Sequence, residues 1–274
     1  MNLQLKKFNM NQIKDDEVIV LIGKRNTGKS YMTKDLLYYH RNLPAGTVIC
    51  PTESANRFYS DIVPPILIHE EYSPAIINNF IKRQKNLKKK MLNEDKNIDN
   101  RAFLILDDCL YDNGWTKDKH IREIFMNGRH WGIMFILAMQ FALGIPPNLR
   151  SNIDYVFILR ENIVSNRKRL YEHYAGMFPT FEMFCSTMDQ CTENYECLVI
   201  HNSAKSNKLE DQVYWYKASP HDDFKICSNE VWEYSKQNYV DNDGENENSN
   251  DSAINAYMQS KRKGPNLHIK KVND

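Results

Sequence analysis

Five consecutive apolar residues, Val18 to Ile22, run straight into GKRNTGKS, and that junction restricts the fold more than any other feature of the chain. A β-branched apolar run of this length suits a strand buried on both faces. Gly23 and Gly28 bracket Lys24, Arg25, Asn26 and Thr27, and Lys29 and Ser30 follow, which satisfies G-x-x-x-x-G-K-[ST]. Glycines let such a loop curl until successive backbone N–H groups face inward as a nest for an anion. The segment Ser30 to His40 reads as a helix whose positive N-terminal end points at the same spot. Gly23 to Ser30 are therefore the expected contacts to ATP, with Lys29 reaching the β- and γ-phosphates and the Ser30 hydroxyl on Mg2+. The competing reading is a glycine-rich turn that binds nothing.

Composition limits the partners. With 36 Lys plus Arg against 35 Asp plus Glu, net charge is no argument for nucleic acid, so only a local patch could supply one. The best patch is Lys82, Arg83, Lys85, Lys88, Lys89 and Lys90, whose competing reading is a solvated helix face. No apolar run approaches the roughly eighteen residues that span a bilayer, and MNLQLKKFNM is not a signal peptide. A soluble intracellular protein with six reduced cysteines is expected. Cys185, Cys191, Cys197 and His201 raise a zinc reading, but six-residue spacing is wider than ligand pairs use, and scattered buried thiols fit better.

From Val18 onward strands alternate with helices, which implies a mostly parallel sheet flanked by helices. Expected strands are Thr47 to Cys50, Ile66 to His69, Phe103 to Leu106, Ile133 to Ala138 and Tyr155 to Leu159. Ser73 is the expected N-cap of a helix with an apolar stripe of Ile77, Phe80, Ile81, Leu87 and Met91. A second helix is expected from about Lys119 to Gly128, and Cys197 to His201 with Gln212 to Tyr216 reads as a hairpin closing one sheet edge. The division is a lead-in over 1–17 carrying one short edge strand, an ATPase domain over 18–237, and a disordered tail over 238–274, where DNDGENENSNDSA lacks apolar surface to bury.

A magnesium-dependent site needs an acid, and FLILDDCL delivers Asp107 at the end of a buried strand, where it can hold Mg2+ through water. Asp108 is placed to polarise the attacking water as general base. Gln140, at the end of IMFILAMQ, would contact the γ-phosphate or that water; the alternative is a polar residue closing a strand.

GKRNTGKS, FLILDDCL, NGRHWGIMFILAMQFALGIPPNLRSNIDYVFILRE and CTENYECLVI, in this order, closely resemble the packaging ATPases of large nucleocytoplasmic DNA viruses, a branch of the FtsK–HerA group. The resemblance covers about Val18 to Tyr216. It implies a P-loop NTPase core with an additional strand, and a motor using ATP and Mg2+ to pump double-stranded DNA into preformed capsids. It also implies a homo-oligomeric ring, capsid or portal-vertex partners, and work in the host cytoplasm at the viral assembly site, with the virion as a further location. By the same resemblance Arg129 matches an arginine that serves the neighbouring subunit. Arg150 and Arg160 are rivals, and a helix-end charge or an internal salt bridge are other readings of Arg129. Asp108 stands where much of the wider group has glutamate. A nucleotide or nucleoside kinase remains the alternative, with Arg167, Lys168 and Arg169 as its lid.

Overall fold

Side-chain alternation along the strands explains why the sheet is covered on both faces. In Val18–Ile22 (β2), Val18, Val20 and Ile22 enter one apolar cluster while Ile19 and Leu21 enter the other. All five are buried, so the polar backbone must be satisfied within the sheet. The structure, a computed structural model, describes residues 3–93, 97–109, 115, 117–141 and 145–239. Met1–Gln237 forms one compact unit; Asn238–Asp274 is a second, and the expected disorder of the tail falls outside the described residues.

Among the described residues the sheet has nine strands: Lys6–Lys7 (β1), β2, Gly46–Ile49 (β3), Ile68–His69 (β4), Ala102–Asp107 (β5), Ile133–Met139 (β6), Tyr155–Ile158 (β7), Glu196–His201 (β8) and Val213–Lys217 (β9). Their order is β1-β9-β8-β7-β2-β6-β5-β3-β4, with antiparallel pairing at β7–β8 and β8–β9 and parallel pairing elsewhere. The β6 strand lies between β2 and β5, the additional-strand arrangement that the resemblance implies. The covering helices include Lys29–Tyr39 (α1), Glu53–Asn56 (α2), Pro74–Asn93 (α3), Lys119–Asn127 (α4), Pro147–Arg150 (α5), Val164–Tyr174 (α6), Phe181–Cys191 (α7), Leu209–Gln212 (α8) and Asn229–Asn238 (α9). No helix among them is long and apolar enough to cross a membrane.

Four local expectations need correction. The hairpin of β8 and β9 is not the sheet edge, because β1 pairs with β9 on its outer side. The lead-in over 1–17, whose composition reads as polar, also feeds the core: Phe8, Met10 and Ile13 are buried, with Phe8 edge-on to Tyr155 and Phe157. Within Ile66 to His69 only the last two residues are strand, since Pro65–Leu67 forms a 3-10 turn after Pro64. The α3 stripe stops early. Ile77, Phe80 and Ile81 are buried, but the next buried position is Gln84, whose amide donates to the Asn100 and Trp131 carbonyls at 2.7 and 3.2 Å, while Leu87 and Met91 are half-buried. Ser73 does serve this helix start, accepting the Ala75 N–H at 3.3 Å. Cys197 lies buried in β8, whereas Cys185 and Cys191 are half-buried on α7.

Candidate active site

The loop from Gly23 to Ser30 leaves the C-terminal end of β2 and enters α1 without space to spare. A β-carbon on Gly23 would stand 2.6 Å from Thr27 Oγ1 and 2.8 Å from Leu159 Cβ, so only glycine fits. Gly28, at φ 101°, supplies the left-handed residue that starts α1, and Asn26, at φ 61°, supplies another within the loop. Thr27 Oγ1 donates to the Lys24 carbonyl at 2.7 Å, which holds the curl. No side chain caps α1, so its first N–H groups remain available to an anion. Lys29 is 6% exposed; its ammonium donates to the Gly23 carbonyl at 2.8 Å and pairs with Asp108 Oδ2 at 3.2 Å. Lys24 instead pairs with Glu161 at 2.6 Å, while Arg25, Asn26 and Ser30 are exposed.

Register brings the remaining groups alongside. Ile22 pairs with Met139 and Asp107 with Ala138, so Gly23, Gln140 and the two aspartates leave three adjacent strands at one level. The Gly23 N–H donates to the Met139 carbonyl at 3.0 Å and the Asp108 N–H to the Ala138 carbonyl at 3.1 Å. Asp107 is buried, which pushes its carboxyl up to about 6, with Asp108 adding to the shift; the Tyr59 hydroxyl, bonded at 2.8 Å, and the Lys29 ammonium work against it. Burial first, and Asp107 second, push the Tyr59 phenol upward, so it stays a proton donor. Asp108 adopts φ 48°, a costly conformation for a residue with a side chain. Its Oδ2 faces both Lys29 and the Gln140 amide, the latter at 3.1 Å, and its Oδ1 is buried with no partner among the described residues.

These donors suit a hard cation. A buried carboxylate with one oxygen already bonded, an unpartnered carboxylate oxygen and an exposed serine hydroxyl match the sparse oxygen set with which Mg2+ is bound beside phosphates. Asp107 and Ser30 are the residues that would hold it.

Arg129 lies elsewhere. It follows α4 in a 3-10 turn, Gly128–Trp131, before β6 begins, whereas Gln140 follows the end of that seven-residue strand. At about 3.3 Å per residue the strand separates them by roughly 20 Å. Its Nη2 donates to Asp154 Oδ1 at 2.6 Å, while Asp154 Oδ2 accepts the Val18 N–H at 2.9 Å. The Arg129 side chain is nevertheless 56% exposed. Of its rivals, Arg150 leans toward the Tyr174 ring at 6.0 Å and Arg160 bonds Asn162 at 3.2 Å. Sequence reasoning passed over Tyr59, Glu161 and the neighbour of Gly28, Tyr195; none follows a motif, because each meets the loop or its acids only through folding. Arg169 carried only a lid reading, yet it lines a small cavity with Gly23, Gln140 and Phe141.

Strand order, loop and paired acids define a P-loop NTPase fold with an additional strand. The genome packaging NTPase B204 from Sulfolobus turreted icosahedral virus 2, solved with ATP-gammaS, is similar in fold: TM-score 0.50 at 16% identity, covering 75% of this chain and 98% of that one. Residues 5–231 match the family described as Poxvirus A32 protein, and the chain belongs to that family. A protein of Invertebrate iridescent virus 6 is 44% identical over 225 residues, 81% of this chain and 85% of the relative. One from Acanthamoeba polyphaga mimivirus is 42% identical over 219 residues, 78% and 77% of the two chains.

Proposed function

We propose that this protein is a motor that hydrolyses ATP to drive double-stranded viral DNA into preformed capsids. The observation that carries the reading is the convergence of Lys29, Asp108 and Gln140 above a loop whose N–H groups are open to phosphate. Before nucleotide arrives, the Lys29 charge rests on Asp108. Phosphate oxygens at the loop draw that ammonium onto the β- and γ-positions. Asp108 Oδ2 is then released to accept a proton from the attacking water, and Gln140 keeps the carboxylate aimed. Mg2+ bound there would neutralise developing phosphate charge, and Ser30 and Asp107 are the residues that would hold it. Lys24 Nζ stays on Glu161, bracing the loop from its flank.

The motor works as a homo-oligomeric ring in which Arg129, more than half exposed at the opposite end of the strands, reaches the next subunit's nucleotide. On α3, Lys82, Lys88, Lys89 and Lys90 make no ion pair among the described residues, which supports a phosphate-facing surface for DNA; Lys85 is occupied by Glu123 at 3.1 Å. Capsid or portal-vertex proteins are the expected partners, and the host cytoplasm at the assembly site, then the virion, the expected locations. A kinase lid fits less well, because Arg167 is held by the Glu161 carbonyl and by Asp189, both at 2.6 Å. The test is ATPase rate with and without double-stranded DNA. Stimulation by DNA supports the motor; dependence on an added nucleoside acceptor would replace it with the kinase.

A further inference from the structure

Beside the phosphate loop stands an exposed tyrosine on a backbone that disfavours it. Tyr195 immediately precedes β8 and is 68% exposed. Asn194 and Tyr195 both have positive φ, 51° and 64°, and the Glu196 N–H closes onto the Glu193 carbonyl at 2.8 Å. Two left-handed central residues with that bond are the signature of a type I′ turn, for which Asn-Gly is the comfortable pair. Asn194 obeys the preference and Tyr195 breaks it. A bulky side chain in the left-handed region costs stability, and such residues gather where the conformation serves a site.

The turn sets the ring against the loop. A β-carbon on Gly28 would lie 3.5 Å from Tyr195 Cδ1 and 3.9 Å from its Cβ, so the ring stands beside the space that a side chain at Gly28 would fill. Among the described residues the ring makes no aromatic or cationic contact, which leaves its exposed surface free. A nucleoside hangs from the α-phosphate end of its phosphate chain, so the base of a nucleotide held at Gly23 to Ser30 lies just outside the loop. An aromatic face there is what a base stacks on.

Resting on the reading of this loop as an ATP site, we infer that Tyr195 is the stacking platform for the nucleobase. Stacking addresses the π-face that every base has, so the protein accepts purine and pyrimidine triphosphates alike and distinguishes a nucleotide from a bare polyphosphate. Tyr31, 55% exposed in the first turn of α1, is the competing aromatic.

Calorimetric binding of a non-hydrolysable ATP analogue and of inorganic tripolyphosphate to the full chain separates the possibilities. Tyr195→Ala should raise the Kd for the analogue about tenfold and leave tripolyphosphate unchanged, with Tyr195→Phe within about twofold of the parent. Tyr195→Gly suits the turn, so it should melt no lower than the parent while losing analogue affinity as the alanine variant does. Equal weakening of both ligands would reassign Tyr195 to shaping the loop and overturn the proposal. So would a base-dependent loss in Tyr31→Ala instead, or a Tyr195→Ala variant that changes only sedimentation, as a subunit contact would. Failure of the ATP-site reading looks different: Lys29→Ala would then leave tripolyphosphate binding of the parent chain unaltered.

Discussion

The two ends of this mostly parallel sheet hold two pairs of aspartates in opposite states. At the end where the strands start, Asp154 and Asp15 have both carboxylate oxygens filled. Asp154 takes the Arg129 guanidinium on one oxygen and the Val18 N–H on the other. Asp15 faces His40 on one oxygen and Arg101 on the other, and the His40 bond, helped by Arg101, holds its carboxyl below the usual range. At the end where the strands finish, Asp108 has a buried oxygen with no partner among the described residues, and burial raises Asp107 toward neutrality. Positive φ values at Asn26, Asp108 and Tyr195 fall at that end too. Filled valences hold a sheet together; empty ones and strained backbone await a ligand. Arg129 is the exception to a simple division, since it belongs to the stabilising end of its own subunit yet exposes half its side chain.

Lys29→Ala is expected to have the largest effect, reducing ATP hydrolysis to background, because it removes the buried ammonium at the loop. Turnover near that of the parent chain would end the reading of this end as the reactive one. Arg129→Ala comes next. If the arginine acts on the neighbour, turnover falls by roughly 10³–10⁵, while the fold loses about 1–3 kcal/mol because the buried Asp154 carboxylate is left with one oxygen unpaired. Mixing Arg129→Ala with Lys29→Ala protein should then restore activity where an intact loop meets an intact arginine. Co-assembled mixtures that stay inactive at every ratio would confine Arg129 to its bond with Asp154.

Asp108→Asn should retain nucleotide binding and lose about 10²–10⁴ in turnover, the range for a general base. Loss of binding as well would make Asp108 a loop-holding residue. The smallest effect belongs to the other end. Because the folded Asp15 carboxyl lies below its unfolded value of about 3.9, its stabilisation is complete above that pH and is lost as pH falls through the folded value. Asp15→Asn should therefore melt about 1–3 °C below the parent at neutral pH, after allowance for solvent screening. The two proteins should converge in acid below about pH 4; a constant difference across that range would rule out the charge as the cause.

Much of this site could be read along the chain because its parts are local. Val18 to Ser30 carries strand, loop and helix start within thirteen residues, and FLILDD and FILAMQ each announce a buried strand ending in polar groups. A strand buried on both faces must be apolar throughout, so its last residues stand out wherever polarity returns. The fate of those polar groups was not readable. That Gln140 would hold Asp108, that Tyr59 would bond Asp107, and that Arg129 would be taken by Asp154 depend on which strands are lateral neighbours and in what register. The same holds for β1 outside β9 and for Gln84, buried among carbonyls where the helical pattern asks for an apolar residue. Periodicity and motif are properties of consecutive residues and determine which segments become strands, loops and helices. Hydrogen-bond partners separated by 25 to 48 residues are chosen by strand order and packing, which no stretch of consecutive residues contains.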